Sequence, residues 1–428
     1  MTRFSPQVHN YHLLLLPSFL RTKLPRAKIG LFIHTPFPSS DVFRVLPTRQ
    51  NILSSIMAAD LLGFHTFDYA RHFLSCTKRV MDLDFETLAG GSLGIKYNGR
   101  FVSILISHVG IDSGMFRSIA SSPSVKEMVA SLRARYGSRK IVLSTGDLDA
   151  VKGGLLKFQA YDRFFTRYPA QASSMVFVEM LLPNKSMTLD HSQDMGTLLH
   201  KQVEAIHQKF GKDCFDLLEL PAAFPLTEAV AYYQAADVCI ASQFWDGLNL
   251  MPFEYTACQD PERPGALVIS EFMGCSRSLN GVLRVNPWSL EAVASAINVA
   301  LGLSIEERKA NHARRFNYVM NHTIEQWALT FLEHLDRATK LCEGMNYVQV
   351  GWGSNVKLMG LRSDFTHLEE EVVTAIYRKT ERRVLLLDYD GTWRTPTPVA
   401  SRVPGRSLST CLADSPLSAL LCCSPQAH

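Results

Sequence analysis

"KIVLSTGDLDAVKGGLLKFQAYDRFF", residues 140–165, is the stretch that decides the fold class. A short apolar run leads into a loop and then into an amphipathic run, which predicts a strand, a loop and a helix. Lys152 and two glycines stand at the start of the helix, where a lysine and backbone N–H groups can hold a phosphate. Asp147 and Asp149 flank that lysine with negative charge, and a solvated loop lysine explains the pattern equally well.

The same alternation of apolar and amphipathic runs continues along the chain. It predicts an α/β protein with parallel sheets, and it extends too far for one Rossmann-like sheet. We expect two doubly wound halves joined near residues 110–140, where "GIDSGMFRSIASSPSV" is typical of a turn-rich connector. The predicted strands span residues 29–34, 61–66, 102–107, 140–145, 175–181, 238–242 and 266–270.

Composition narrows the class of protein and the kind of partner. The 428 residues are 46% hydrophobic and 20% charged, which is typical of a globular protein. A net charge of +4 gives no reason to expect nucleic acid or a membrane surface as a partner, and no apolar run approaches the length of a membrane span. The nine cysteines form no CxxC pair and no zinc-type cluster, which indicates reduced thiols and a cytoplasmic location.

His34 ends the apolar run "IGLFIH" and precedes a proline-rich turn. Polar residues at the carboxyl ends of parallel strands face the ligand crevice of an α/β sheet. A neutral imidazole there can form a hydrogen bond with a sugar hydroxyl. A histidine that only caps the turn is the alternative.

A second candidate group lies in "ASQFWDGLNLMPFEYTACQDP", residues 241–261. Here a predicted strand leads into a loop with Asp246 and Asn249, and a helix with Glu254 follows. Gly247 permits a tight turn and a close approach of a ligand. An ionised carboxylate such as Glu254 can accept hydrogen bonds from two ribose hydroxyls. An ordinary capped helix, with Asp246 or Asn249 bound to backbone amides, remains the alternative.

A DxDGT pattern closes the apolar run "LLLDYDGT" at residues 385–392. In phosphatases of the haloacid dehalogenase type, the first such aspartate attacks phosphorus and the second acts as acid and base, with Mg²⁺ between them. Asp388 and Asp390 occupy these positions. The remainder of that site has no room in residues 393–428, which are rich in Pro and Ser and are expected to be disordered. We interpret the two aspartates as vestigial.

Taken together, the motifs resemble the trehalose-6-phosphate synthase family, retaining glycosyltransferases of GT-B type. The chain looks most like the plant class II proteins, in which a synthase-like region precedes a phosphatase-like one. By this resemblance it starts late and ends early, so the first half-sheet is expected to be incomplete. The matching stretches are "VHNYHLLLLP", "HTPFPSSDVFRVLP", "DLLGFHTFDYARHFLSC", "GDLDAVKGG", "WDGLNLMPFEY", "LVISEFMGCSRSLNGVLRVNPWSLEAV" and "LLLDYDGT".

The resemblance implies transfer of glucose from UDP-glucose to glucose 6-phosphate, giving trehalose 6-phosphate. It implies no cofactor for this step, and Mg²⁺ only if a complete phosphatase domain existed. His34 would contact the donor glucose, Lys152 the diphosphate and Glu254 the ribose. The remaining positions would line the glucose and the diphosphate, namely Asp246, Gly247, Leu248, Asn249 and Leu250.

Four positions depart from the pattern of active members. Asn10 replaces an aspartate, and Asp147 replaces an arginine that would pair with the diphosphate. Trp245 and Lys185 also stand where arginines are usual. These changes favour a weak or lost transferase activity, and the alternative is a non-catalytic regulatory homologue that binds sugar phosphates such as trehalose 6-phosphate and acts through protein partners.

The domain layout follows from the same resemblance and the change in composition. We expect two Rossmann-like domains of GT-B type, the first on the acceptor side and the second on the UDP-glucose side. The predicted ranges are 1–125 and 126–342 for these domains, 343–380 for a linker, 381–392 for the first strand of a haloacid dehalogenase-like domain and 393–428 for the tail.

Overall fold

Strands and helices alternate from residue 7 to residue 340, as the hydrophobic pattern predicts. In this computed structural model the described residues carry two six-stranded sheets and a separate two-stranded one. Residues 1–361 form one compact unit that includes both large sheets. The structure describes residues 5–87, 91, 93–147, 153–182, 189–221, 224–340, 346–350, 357–361 and 369–380.

The first sheet has the strand order β1-β2-β3-β6-β5-β4. The strands β1, β2, β3 and β6 run parallel to one another, and β5 is antiparallel to both of its neighbours, β6 and β4. Its elements are β1 (Gln7–His9), α1 (Leu16–Lys23), β2 (Gly30–Ile33), α2 (Ser40–Phe43), α3 (Arg49–Ile56), β3 (Leu61–Phe64), α4 (Phe67–Met81), β4 (Phe85–Thr87), β5 (Leu93–Tyr97) and β6 (Arg100–Ile106).

The second sheet is parallel throughout, with the order β12-β11-β10-β7-β8-β9. This is the strand order of a Rossmann fold, read from the opposite edge. Its elements, with the helices around it, are α5 (Ser113–Ser121), α6 (Pro123–Tyr136), β7 (Lys140–Asp147), α7 (Gly154–Arg167), β8 (Met175–Leu182), α8 (Leu189–Phe210), β9 (Phe215–Glu219), α9 (Leu226–Ala235), β10 (Val238–Ala241), α10 (Met251–Cys258), β11 (Ala266–Ser270), β12 (Leu283–Val285), α11 (Leu290–Gly302), α12 (Ile305–Asn321) and α13 (Ile324–Lys340).

Both faces of the second sheet are covered, which confirms the doubly wound arrangement. Ile141 and Leu143 belong to one apolar cluster and Val142 to another, because successive side chains of a strand point to opposite faces. A strand that is buried on both faces needs apolar residues at every position. That requirement explains the continuous apolar run that opens residues 140–165.

The segment expected to be a turn-rich connector is helical, and this interpretation was wrong. It forms α5 and the start of α6. Asp112 and Ser122 cap the two helices, since their side chains accept hydrogen bonds from the backbone N–H groups of Met115 and Val125. Pro123 occupies the first turn of α6, where its missing N–H costs nothing. The Ser, Asp and Pro residues that indicated turns are therefore helix caps.

The last helix of this region, α13, packs on the first sheet rather than on the second. Phe331 and Leu335 of α13 share an apolar cluster with Phe32, Leu61 and Leu105 of β2, β3 and β6. A Cβ atom on Gly30 would lie 2.8 Å from the ring of Phe331, which only a glycine accommodates. The chain thus returns to its first half after it has completed the second.

A buried ion network stabilises the first sheet at the amino ends of its parallel strands. Asp60 pairs with Arg21 of α1 and with Arg100 of β6, each at 2.6 Å, and all three side chains are buried. Its carboxylate also accepts the backbone N–H of Ile29 at 2.8 Å. One carboxylate therefore ties a helix, a central strand and a loop together.

Beyond residue 340 the described residues form a hairpin and one helix. β13 (Asn346–Val350) and β14 (Lys357–Leu361) pair antiparallel inside the range expected to be a linker. In the second compact unit, residues 362–428, the structure describes α14 (Glu370–Lys379). Residues 381–428, including Asp388 and Asp390, lie outside the described part of the chain. Within that part, every helix is too short or too polar to span a bilayer.

Candidate functional site

The strand order of the second sheet predicts a ligand crevice at the carboxyl ends of β7 and β10. These strands are neighbours, yet the chain leaves β7 towards β8 on one side and β10 towards β11 on the other. Ligands of open α/β sheets bind outside the carboxyl ends of the strands at such a point. The loop that starts at Asp246 follows β10, and residues 148–152 follow β7. Lys152 and Lys185 lie outside the described residues, as does the side chain of Asp147.

The loop after β10 is held by its own side chains. Asn249 donates through Nδ2 to Oδ2 of Asp246 at 3.2 Å, and its Oδ1 accepts the backbone N–H of Met251 at 3.0 Å. Its φ of 63° lies in the left-handed region, which asparagine tolerates better than most residues. Leu248 is buried in the apolar core, so it can offer a ligand only its backbone. Asn249 thus binds a backbone amide at the start of α10, although Leu250 and not Asn249 is the N-cap residue.

Gly247 brings this loop against the first half of the molecule. A Cβ atom at this position would overlap the main-chain carbonyl oxygen of His34, so only glycine permits the contact. The hydroxyl of Tyr69, in the first turn of α4, donates to the carbonyl oxygens of Asp246 at 3.3 Å and Gly247 at 3.2 Å. The two candidate groups predicted from the sequence, His34 after β2 and the loop 246–250 after β10, thus lie side by side.

Three histidines form a hydrogen-bonded chain at the carboxyl ends of the first sheet. Nε2 of His34 lies 3.1 Å from Nδ1 of His9, and its Nδ1 lies 3.2 Å from Nε2 of His65. Burial, followed by the neighbouring His9, lowers the pKa of His34 to about 4. Burial, followed by His34, lowers the pKa of His65 to about 3. The central imidazole is therefore neutral near pH 7.

Neutrality fixes how this chain of rings is bonded. A neutral imidazole has one N–H donor and one acceptor, so His34 donates to one neighbour and accepts from the other. Both of its ring nitrogens are engaged, and a sugar hydroxyl could bind it only by displacing His9 or His65. Among the described residues, no cluster of three or more His, Cys, Asp or Glu side chains is arranged to hold a metal ion.

Asn10 stands beside this chain in a strained backbone conformation. Its φ of 66° and ψ of 173° fall in a region that is almost restricted to glycine. Its N–H donates to the carbonyl oxygen of Phe32 at 2.8 Å, and its side-chain oxygen accepts the hydroxyl of Thr35 at 3.4 Å. Strain of this kind persists only where surrounding contacts impose it, and it is concentrated at functional sites.

Glu254 lies in the first turn of α10, where the helix dipole stabilises a negatively charged carboxylate. The hydroxyl of Tyr233 donates to its Oε2 at 3.1 Å. Burial raises the pKa of Glu254, and the bond from Tyr233 opposes that rise. The carboxylate is thus oriented by a buried tyrosine.

Three residues of this region were not among the predicted site residues, namely His9, His65 and Tyr69. His65 follows β3 as His34 follows β2, so the rule that selected His34 would also have selected His65. His9 was visible in the motif "VHNYH". Tyr69 gave no signal, because its role depends on the approach of the two halves.

The sequence of this chain matches known proteins along most of its length. The model of glycosyltransferase family 20 matches residues 7–337. The Arabidopsis thaliana protein alpha,alpha-trehalose-phosphate synthase [UDP-forming] 5 is 38% identical over 411 residues, which cover 91% of this chain and 47% of the relative. The Yarrowia lipolytica alpha,alpha-trehalose-phosphate synthase [UDP-forming] is 37% identical over 77% of this chain and 70% of its own length. The chain spans about half the length of the Arabidopsis relatives it matches.

Comparisons of structure give the same answer. An E. coli structure described as trehalose-6-phosphate bound with UDP-2-fluoro glucose superposes with a TM-score of 0.73 and 28% identity, covering 79% of this chain and 74% of that one. A Burkholderia xenovorans trehalose-phosphate synthase in complex with glucose-6-phosphate gives 0.72 and 28%, over 77% and 73%. The Rossmann strand order, the paired halves and the matched range lead to one conclusion: this chain belongs to glycosyltransferase family 20.

Proposed function

We propose that this chain is a trehalose-6-phosphate synthase homologue that transfers glucose from UDP-glucose to glucose 6-phosphate with weak activity. The observation that carries the proposal is the contact of Gly247 with the backbone of His34. That contact joins the donor-side loop to the strand end of the opposite sheet, which is the arrangement a two-substrate transfer needs. The matched structures that contain UDP-2-fluoro glucose and glucose-6-phosphate support the choice of donor and acceptor.

In the proposed reaction the bond from the anomeric carbon to the diphosphate breaks. A new bond forms from that carbon to a hydroxyl oxygen of glucose 6-phosphate, and the hydroxyl proton leaves with the departing UDP. Negative charge grows on the diphosphate, so its stabilisation is the main electrostatic task of the protein. Lys152 and the backbone N–H groups of the loop 246–250 would supply it.

The other roles follow from hydrogen-bonding capacity. His34 would bind a hydroxyl of the donor glucose, and Asp246 would orient the same sugar through its carboxylate. Glu254, held by Tyr233, would accept the two ribose hydroxyls. Each of these assignments requires the substrate to lie in the crevice between β7 and β10.

Asp147 and Asn10 account for the low activity that we propose. An anion near the diphosphate, in place of a cation, removes an attraction and adds a repulsion of about 1–4 kcal/mol for a close pair at intermediate dielectric. Asn10 lacks the negative charge of the aspartate that active members of the family have there. Trp245 stands in place of an arginine, so a further positive charge is missing. No metal is required for the transfer, and Mg²⁺ would matter only for a complete phosphatase domain.

The transfer is tested by mixing the purified chain with UDP-glucose and glucose 6-phosphate and measuring UDP. We expect slow release of UDP that depends on both sugars and is abolished by Asp246→Ala. Release at the rate of the blank, with no trehalose 6-phosphate formed, would rule out transferase activity in this chain.

A non-catalytic regulatory role is the second candidate, and one observation favours it. Both ring nitrogens of His34 are already bonded to histidines, so the group expected to bind the donor sugar is occupied. In this case the chain binds UDP-glucose or trehalose 6-phosphate without turnover and acts through a protein partner. Calorimetry that detects either ligand, together with no UDP release, would support this role. We propose a cytoplasmic location in both cases, because the five described cysteines are free thiols.

A further inference from the structure

An open crevice with a volume of about 250 Å³ lies between the two halves, beside the loop 246–250. The start of α4 forms one wall, and the loop after β11 forms the other. Tyr69 and Trp245 line the crevice, and Tyr69 also donates to the carbonyl oxygens of Asp246 and Gly247. The crevice therefore adjoins the candidate transfer site. Trp245 is the one lining residue that also enters the proposed transfer, as the replacement of an arginine, and no lining residue is among those to which we assigned a substrate.

Two aromatic rings in this crevice face solvent. Trp245 is 60% exposed and Phe272 is 42% exposed, and both residues line the cavity. Large apolar surfaces exposed in a concave site are characteristic of ligand binding. A pyranose ring presents a flat face of C–H groups, and an exposed indole ring is a suitable surface for it.

The polar groups of the crevice suit hydroxyls better than they suit an anion. Asp68 pairs with Arg71 at 3.2 Å and with Arg277 at 3.0 Å, so both guanidinium groups already have a carboxylate partner. Glu271 adds a second carboxylate, and the four side chains carry a formal net charge of zero. Neighbouring hydroxyls of a sugar both donate and accept, which matches paired carboxylate and guanidinium groups.

We propose that this crevice binds a pyranose sugar. Its C–H face lies against Trp245 and Phe272, and its hydroxyls bind the carboxylate of Asp68 and the guanidinium groups of Arg71 and Arg277. Because its walls come from both halves, a bound sugar stabilises their contact and the position of the loop 246–250. Binding here does not depend on glucosyl transfer.

Calorimetry on the whole chain with glucose, trehalose and glucose 6-phosphate tests the proposal. We expect a neutral sugar to bind, and we expect Trp245→Ala and Arg277→Gln each to weaken that binding at least about tenfold, equivalent to about 1.4 kcal/mol. Arg277→Gln should leave the affinity for UDP-glucose unchanged, because Arg277 has no part in the proposed transfer site.

Matched controls separate the crevice from general effects. Trp288→Ala removes a tryptophan that is 59% exposed and stacks on Phe244, away from the crevice. Arg79→Gln removes an exposed arginine of the same helix α4 that pairs with Asp41. Unchanged sugar affinity in both controls supports the proposal. Equal losses in the controls, binding of glucose 6-phosphate alone, or loss with Asp246→Ala but not with Arg277→Gln would overturn it.

Discussion

At the scale of single residues, Asp147 is the position where we expect one charge to change the affinity for the proposed donor most. Asp147 is the last residue of β7, and under the proposed function an aspartate at this strand end would repel the diphosphate of UDP-glucose. We expect Asp147→Arg to raise the affinity for UDP-glucose at least about tenfold, because it replaces a repulsion by an attraction that together amount to at least about 1.4 kcal/mol. Calorimetry with UDP-glucose measures the change.

The control for this substitution changes the net charge equally at a distance. Glu204→Arg, on the exposed side of α8, also adds two positive charges and should leave the affinity almost unchanged. An equal rise in both variants would mean that overall charge, and not the charge at the end of β7, governs binding.

The histidine chain makes stability depend on pH. Burial lowers the pKa of His65 to about 3, whereas a histidine of the unfolded chain has its ordinary pKa of about 6.5. Between these values the unfolded state binds more protons, so stability falls as pH falls from about 6.5, by at most about 1.4 kcal/mol per pH unit for one histidine. We expect His65→Gln to make the loss of stability between pH 6.5 and pH 4 less steep, as measured by urea unfolding at a series of pH values.

His200→Gln provides the comparison, because His200 is exposed on α8, where its imidazole contacts Glu219. It should leave the pH dependence in this range close to that of the unchanged chain. If both variants follow the same curve, the chain of rings at the candidate site does not cause the acid sensitivity.

Much of the candidate site could be predicted from short motifs. His34 and Asp246 each follow an apolar run, and polar residues at strand ends converge in a parallel α/β fold. The bonds of His34 to two other histidines could not be predicted, because His9, His34 and His65 are far apart in the chain and meet only through the order β1-β2-β3. The hydrogen bonds from Tyr69 to the carbonyl oxygens of Asp246 and Gly247 depend on the approach of the two sheets, which no local sequence pattern predicts.

At the scale of elements, the loop after β10 depends on the absence of one side chain. Gly247→Ala would force a methyl group into the carbonyl oxygen of His34, so the loop must move away from the first sheet. We expect a loss of about 1–3 kcal/mol of unfolding free energy, as is usual for an overpacked site, together with weaker binding of UDP-glucose. Thermal unfolding and calorimetry measure the two effects.

Gly302→Ala is the matched substitution. A Cβ atom there meets no atom within 4 Å at the end of α11, so we expect little change in stability or binding. Equal behaviour of the two variants would show that the loop tolerates the displacement and that the contact with His34 is not required.

The buried network around Asp60 joins three elements of the first sheet. Asp60→Asn leaves Arg21 and Arg100 buried without a full counter-charge, and removal of one partner from a buried pair costs about 3–5 kcal/mol. Asp41→Asn weakens only exposed pairs, with Arg79 at 2.8 Å and with Arg44 at 4.0 Å, each of which should cost about 0–1 kcal/mol. Urea unfolding of both variants gives the difference, and similar values for the two would contradict this account.

Elements that are buried on both faces were the easiest to predict. The run "ALVIS" was expected at residues 266–270 and forms β11 over the same residues. The strands β4 and β12 were not predicted, since each has three residues and exposed positions that blur the apolar pattern. The helix α5 was missed because Ser, Gly and Asp occur both in turns and at helix ends, and only the backbone distinguishes the two.

At the scale of the molecule, α13 couples the two halves. Phe331 is fully buried against the first sheet, although it follows the second in sequence. We expect Phe331→Ala to lower the free energy of unfolding by about 3–5 kcal/mol. We also expect it to separate thermal unfolding into two transitions, because the first sheet loses its packing against α13, the helix that follows the second sheet in the chain. Scanning calorimetry resolves this.

Leu332→Ala removes a neighbouring side chain of α13 that is 41% exposed. It should cost less than about 1 kcal/mol and leave a single transition, as expected for a side chain that is not buried in the core. If Phe331→Ala also unfolds in one step with a small loss, α13 does not link the halves.

The return of α13 has a consequence for how the protein is made. β6 leaves the ribosome early, but the helix that covers Phe32, Leu61 and Leu105 begins only at Ile324. At typical synthesis rates of 5–20 residues per second, the roughly 220 intervening residues take roughly 10 to 45 seconds. During that interval the nascent first sheet exposes an apolar face that nothing yet covers. We therefore expect this face to be a binding site for chaperones that recognise apolar surfaces until α13 has been made.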